Sequence, residues 1–368
     1  LDELVVQQGS LRIVSEYPNL AEAFALNLRI RKFRIFPVWG AAEVYPPENA
    51  DIAILWGENE NQLESQGLVP LAELLPINAF LIANQRSLEN KDLSQILMLI
   101  ADSSQLSAVS SKQHAFMPNP ANKLALNKAS GSKVKDFSPD WETKEIKLAL
   151  PDGHQQLPTA RFLARAGFDL QGYSEEMLNP RPLVNLDWMA IKVIRPQDMP
   201  LQVANGNFDL AITGEDWLLD HLYRFPSSPV KKLLNLGFGK VKVVAAISSD
   251  MPIADIDELR LLVQSGKLTP LRVASEYINT ADKYLRDNHI SPYKLIPTYG
   301  ASEAFLPEDA DLLIDNIQSG ETLKQHNLKV IAALFESTAC LIGNKDSLNS
   351  NKKEKFDFII RRLQAGLS

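Results

Sequence analysis

LRVASEYINTADKY, residues 271–284, sets the fold: Arg272–Ser275 reads as a short strand and Thr280–Asp287 as a helix. Nearly the same string stands at residues 11–24, LRIVSEYPNLAEAF. From there the match runs on without a gap at a constant offset of 260 residues, Leu11 answering Leu271. RKFRIFPVWGAAEVYPPENADIAIL (31–55) answers SPYKLIPTYGASEAFLPEDADLLID (291–315), and AELLPINAFLIANQRSL (72–88) answers AALFESTACLIGNKDSL (332–348). The approach helix recurs too, LDELVVQQGS against IDELRLLVQSG. An internal repeat of this kind governs the reading of everything else.

Working outward, residues 106–145 are rich in Ser, Asn, Lys and Pro and lack periodicity, which predicts a linker. Residues 146–249 have no counterpart upstream and alternate strand with helix. Expected strands are Lys147–Leu150, Ala190–Ile194, Phe208–Ile212 and Val241–Ala246; expected helices are Leu157–Ala166, Gln197–Ala204 and Glu215–Leu222. Further strands are expected at Lys294–Pro297 and Asp311–Ile314, and a last helix at Lys355–Leu363. The expected layout is a degenerate copy of a second lobe (1–105), a linker (106–145), a first lobe (146–249, with return strands from 330–350), the second lobe (250–329) and a C-terminal helix (345–368). Alternation of this kind means α/β layers with largely parallel sheets, whose ligands sit at the carboxyl ends of strands. Leu1 is no initiator, so a first lobe preceding the first copy is expected upstream.

Bulk properties narrow the classes. With 45% hydrophobic and 23% charged residues the chain reads as an ordinary globular protein, and no apolar run is long enough for a membrane span. The acidic, polar start is not a signal peptide. A single cysteine, Cys340, in the apolar run ACLIG, reads as a buried small hydrophobe in a reducing, cytoplasmic setting. A net charge of −7 argues against sequence-independent nucleic-acid binding, but not against anionic metabolites at a local site.

DLLIDNIQSGETL, residues 311–323, carries the chemistry. An apolar strand ends in Asp315; Ser319, Gly320 and Thr322 follow at the start of a helix. Glycine lets backbone amides approach an anion, the hydroxyls donate, and the acid can accept from sugar hydroxyls or reach them through Mg²⁺. An ordinary strand–turn–helix would carry the same string about as often.

This loop resembles the phosphoribosyl pyrophosphate loop of phosphoribosyltransferases, and its neighbours narrow the resemblance. FDLAITGEDWL (208–218), LNLGFGKVKVVAAI (234–247), KLALPDG (147–153) and VIRPQDMPLQVANG (193–206) resemble, in order, segments of the ATP phosphoribosyltransferase catalytic subunit. LRVASEYINTADKY and FESTACLIGN complete the series, which spans about residues 146–344. The resemblance implies two α/β lobes like those of type II periplasmic binding proteins, with the active site in the cleft. It implies joining of ATP to phosphoribosyl pyrophosphate with Mg²⁺ and release of pyrophosphate, the first step of histidine biosynthesis. Asp315 would be the catalytic residue, and Asp315, Ser319, Gly320, Glu321 and Thr322 would bind phosphoribosyl pyrophosphate, with Glu321 facing solvent. Asp209, Gly214, Asp216, Lys240 and Arg195 would line the nucleotide side. After Asn344 the chain offers one helix and no regulatory domain, so it is similar to the short form, which works as a homo-oligomer with a histidyl-tRNA-synthetase-like subunit.

Three departures stand against this. The first turn, where the family has Pro-Lys-Gly-Arg, reads Pro151-Asp152-Gly153-His154. The glycine expected upstream of the 311–315 strand is missing, with Glu308 and Asp309 in its place, and Glu321 fills the free position of the loop. In the first copy Leu55 replaces Asp315, and ENENQ (58–62) replaces QSGET, so a phosphate would be repelled there. Bland roles compete throughout: Asp209 and Asp216 as caps, Lys240 and His154 as solvated side chains, and Trp188, Trp217 and Tyr299 as packing. The competing function is a non-catalytic paralogue serving as a small-molecule-binding or regulatory module; a secreted solute receptor is disfavoured by the polar start.

Overall fold

The computed structural model describes residues 10–57, 60–75, 144–174, 178–348 and 352–367. The approach helix at 1–9, the repeat at 76–88 and linker residues 106–143 lie outside them. Two compact units divide the chain, residues 1–56 with 138–368, and residues 57–137. That division falls inside the 1–105 segment expected as one lobe. The helix Glu60–Ser65 is the regular element described in the smaller unit.

In the larger unit the chain opens with β1 (Leu11–Ser15), the helix Pro18–Asn27, β2 (Phe33–Pro37) and β3 (Ile52–Ile54). The strands form a parallel sheet in the order β2-β1-β3. Pro18 opens the helix, where its missing N–H breaks no bond. The next segment supplies β4 (Ile146–Pro151), β5 (Leu170–Tyr173), β6 (Leu178–Val184), β7 (Met189–Ile194), β8 (Leu210–Gly214) and β9 (Val230–Asn235). Then come β10 (Val241–Ser248), β11 (Leu271–Ser275), β12 (Tyr293–Pro297), β13 (Leu312–Ile317), β14 (Leu328–Ser337) and β15 (Ala339–Asn344).

These build two five-stranded sheets, β7-β4-β8-β15-β9 and β12-β11-β13-β10-β14. Each has a parallel trio with an antiparallel strand inserted beside it, from the chain crossing between lobes. This is the two-lobe α/β arrangement of type II periplasmic binding proteins. β8 and β15 are buried along their whole length, as strands covered on both faces must be.

The crossings correct the expected boundaries. β10, placed by sequence in the first lobe, belongs to the second sheet, and so does β14; β15 alone makes the return. Gly237 and Gly239 (φ 72° and 63°) turn the chain from β9 towards β10, and Asn235 Oδ1 accepts from Gly237 N and from Thr338 Oγ1, tying the two crossings together. Strand partners of this kind are non-local, so no window of sequence reveals them. The β5–β6 hairpin and β9 were not expected at all.

The small sheet and the second lobe share their details as well as their element order. Arg12 grips Asp51 and the carbonyls of Pro47 and Glu48; Arg272 grips Asp311 and the carbonyls of Pro307 and Glu308. Ser15 Oγ donates to Ile54 O and Ser275 Oγ to Ile314 O. Ala41 and Ala301 both adopt the left-handed conformation, at φ 57° and 49°.

Packing seats both additions on the first lobe. Phe356, Ile359 and Leu363 of the C-terminal helix (Lys353–Ala365) fill one face against Ile146, Leu148 and Phe162. Each such buried side chain contributes about 1.5–3 kcal/mol. On the other side Val14, Val38, Val44 and Tyr45 pack with Ile194, Met199, Phe208 and Ile342.

Candidate functional site

The carboxyl ends of β4, β7 and β8 in the first lobe face those of β11 and the outer half of β13 in the second, across a cavity of about 300 Å³. On the first-lobe side β4 runs into Asp152, Gly153 and His154. Asp152 Oδ2 lies 3.1 Å from Arg195 Nη1, just past β7. Burial pushes the Asp152 carboxyl up, against the pull of Arg195. His154 is exposed at the rim.

β8 ends at Gly214, and the helix Glu215–Arg224 starts at once. Asp216 in its first turn is buried and fully engaged: it accepts from Tyr277 Oη at 2.5 Å and Ser337 Oγ at 2.8 Å, while its own N–H donates to Ser337 Oγ. Tyr277 belongs to the second lobe and Ser337 to a crossing, so Asp216 clamps the lobes at the back of the cavity. A Cβ on Gly214 would stand 2.0 Å from Asp216 Oδ1; only glycine fits beside the clamp.

From the second lobe come Glu276, Tyr277, Asp315 and Asn316. β13 continues to Ile317, so Asp315 sits within the strand and not at its end, paired with Val244. Burial raises its carboxyl to about 6, although Ser302 and the Asn316 N–H hydrogen-bond it. Glu276 is raised to about 7, first by burial and then by the charge of Asp315. Glu276 and Asp315 thus put two carboxylates, each raised first by burial, on one wall of the cavity. Among the described residues no group of three or more His, Cys, Asp or Glu could hold a metal ion.

Beyond β13 the expected anion loop sits outside the cavity lining, on its second-lobe side. Gly320 caps the helix Glu321–Gln325 at φ 74°, and a Cβ there would meet nothing nearer than Ile317 Cδ1 at 4.0 Å. Ser319, Glu321 and Thr322 are exposed.

Of the sequence-derived residues, Asp315, Asp216 and Arg195 line one cavity and Gly214 supports it. The loop residues Ser319, Gly320, Glu321 and Thr322 stand outside its lining, and two more lie elsewhere. Asp209 is buried at the opposite end of β8, where it accepts from Lys147 N and pairs with Lys352 Nζ at 3.1 Å; it caps a strand and anchors the C-terminal helix. Lys240 is exposed on the crossing and does not line the cavity, although its neighbour Val241 does. Trp217 stacks on Tyr277 with centroids 4.2 Å apart, and Trp188 packs edge-on against Phe358. Cys340 is buried and pushed up to about 12, an inert thiol. Glu276 was missed. Its signal was its place directly after a parallel strand, in the SEY string common to both copies.

Comparisons with known proteins show the family of the chain. A sequence model described as HisG: ATP phosphoribosyltransferase matches residues 2–102 and 195–365. The ATP phosphoribosyltransferase of Pelotomaculum thermopropionicum is 31% identical over 229 residues, 61% of this chain and 73% of that protein. That of Saccharolobus solfataricus is 29% identical over 230 residues, with 61% and 73% covered. Among solved structures, the ATP phosphoribosyl transferase (HisG:HisZ) complex from Thermotoga maritima aligns at a TM-score of 0.48 and 21% identity, covering 60% of this chain and 98% of that one. With more than half of its residues matched by the family's own sequence pattern, the chain belongs to the ATP phosphoribosyltransferase family.

Proposed function

We propose that the chain joins ATP to phosphoribosyl pyrophosphate in the first step of histidine biosynthesis, at the site between the lobes of residues 146–344. N1 of the adenine attacks C1 of the ribose, the C1–O bond to pyrophosphate breaks, and its electron pair leaves with the pyrophosphate. No protein nucleophile is required, so the work is positioning and charge stabilisation. The observation that carries the reading is the family match over the loop whose Gly320 is left-handed and open. In it the amides after Ser319 receive the phosphate, Ser319 and Thr322 add hydroxyls, and Glu321 points to solvent. Asp315 accepts from the ribose hydroxyls, Gly214 and Asp216 fix the lobe geometry, and Arg195 meets a phosphate. Mg²⁺, when bound near Asp315 and Glu276, would neutralise charge on the pyrophosphate.

Calorimetry with phosphoribosyl pyrophosphate and Mg²⁺ tests the loop. Gly320→Val puts a β-branched residue at φ 74° and should weaken binding by at least about tenfold with the fold retained. Unchanged affinity removes the loop assignment.

The detailed match between the small N-terminal sheet and the second lobe supports a duplication. Leu55 at the position of Asp315 supports a copy without catalysis. ATP binding, a homo-oligomer, a histidyl-tRNA-synthetase-like partner and a cytoplasmic setting belong to the same proposal. No described helix is long and apolar enough to cross a membrane.

One observation favours a second reading, a non-catalytic paralogue. Asp152, Asp216, Glu276 and Asp315 face the cavity against Arg195 and His154 alone. Failure to bind phosphoribosyl pyrophosphate at all would establish that reading.

A further inference from the structure

Arg195 is reached from two sides. The first lobe supplies Asp152, at 3.1 Å. The other side belongs to the N-terminal sheet. Gly40 lies so close along the arginine that a Cβ there would stand 2.6 Å from Nε and 3.4 Å from Cγ. Gly40 is held in turn by its neighbour: Trp39 N donates to Asp198 Oδ2 at 3.0 Å, and the Trp39 ring packs on Trp217 (5.9 Å) and Tyr299 (4.9 Å). The first copy has lost its own anion loop yet keeps Trp39 and Gly40 against the other copy's site.

We propose that the N-terminal sheet is a positioning part of the second copy's active site, with Trp39 and Gly40 aiming the Arg195 guanidinium at the anionic substrate. This rests on the assignment of Arg195 to a phosphate made above. The sheet binds nothing itself; it fixes where a binding residue can stand. Gly40 leaves room for the side chain, and Trp39 keeps Gly40 in place. Losing a well-placed guanidinium weakens anion binding about tenfold or more.

The test is a double-mutant cycle on the full chain, read as affinity for ATP, the substrate whose side Arg195 lines, with Mg²⁺ and as KM against kcat. Gly40 has no left-handed backbone, and its new Cβ would meet a flexible side chain, so Gly40→Ala should fold and displace Arg195. Arg195→Ala should weaken binding about tenfold or more, Gly40→Ala should come close to that, and the double variant should be no worse than Arg195→Ala. A silent Gly40→Ala beside a damaging Arg195→Ala overturns the inference and leaves the proposed function standing, as do strictly additive effects. A silent Arg195→Ala removes the assignment of Arg195, and the inference with it.

Discussion

A methyl group at Gly214 would stand 2.0 Å from Asp216 Oδ1, and that carboxylate holds Tyr277 and Ser337. Gly214→Ala should therefore push Asp216 off both partners. Hydrogen bonds to a buried charge are worth about 1.5–3 kcal/mol each. The variant should lose about 2–4 kcal/mol in urea unfolding, and the clamp between the lobes with it. The two acids near β8 also show what a residue-level reading can and cannot settle. Asp209 and Asp216 flank the same strand, and five strand residues separate their ends by roughly 16 Å. Both could not face a cleft at the strand's carboxyl end. Asp216, on the carboxyl side, lines the cavity, and Asp209 pairs with Lys352 behind it. The order of the string was enough to choose between them; the partner of the buried one was not in it.

The attachment of the N-terminal sheet to the first lobe is an electrostatic matter. Glu48 pairs with Lys192 and Arg181, each at 2.9 Å, and Lys192 is fully buried with Asn49 as a further acceptor. Burial and the charge of Arg181 pull Lys192 down to about 7 despite Glu48. Removing Glu48 leaves a buried ammonium short of its counter-charge, so Glu48→Ala should cost roughly 2–4 kcal/mol, below the usual penalty because Asn49 remains. Asp198, which accepts from Trp39 N, supplies a pH signature. Burial raises its carboxyl from 3.8 to about 7. The folded protein then holds a proton the unfolded chain has released, so this stabilisation is complete below about pH 4 and lost as pH rises through 7. In Asp198→Asn the fall in stability between these values should be shallower. An unchanged slope would mean that Asp198 is not buried against the sheet.

Over the whole molecule, strand–helix alternation was legible because each βα unit declares itself in a dozen residues, as Leu271–Asp287 does. The repeat was legible because identity at one constant offset needs no structure. What escaped was the weave between lobes. β10 and β14 read as ordinary apolar strands, and only their antiparallel partners place them in the second sheet. Asp315 was expected at the end of its strand, but β13 runs two residues beyond it. The nearness of Trp39 and Gly40 to Arg195 joins segments more than 150 residues apart, and no local pattern announces it.

Product formation from ATP, phosphoribosyl pyrophosphate and Mg²⁺ distinguishes synthesis of phosphoribosyl-ATP in the second copy alone from synthesis elsewhere or none. Three proteins are compared: the unaltered chain, Asp315→Ala with Thr322→Ala, and Glu58→Ala with Glu60→Ala. Turnover is expected from the first, none from the second, and a nearly unchanged rate from the third. No product from the unaltered chain, or loss in the third equal to that in the second with folding intact, would show that the second copy is not a self-sufficient catalytic site.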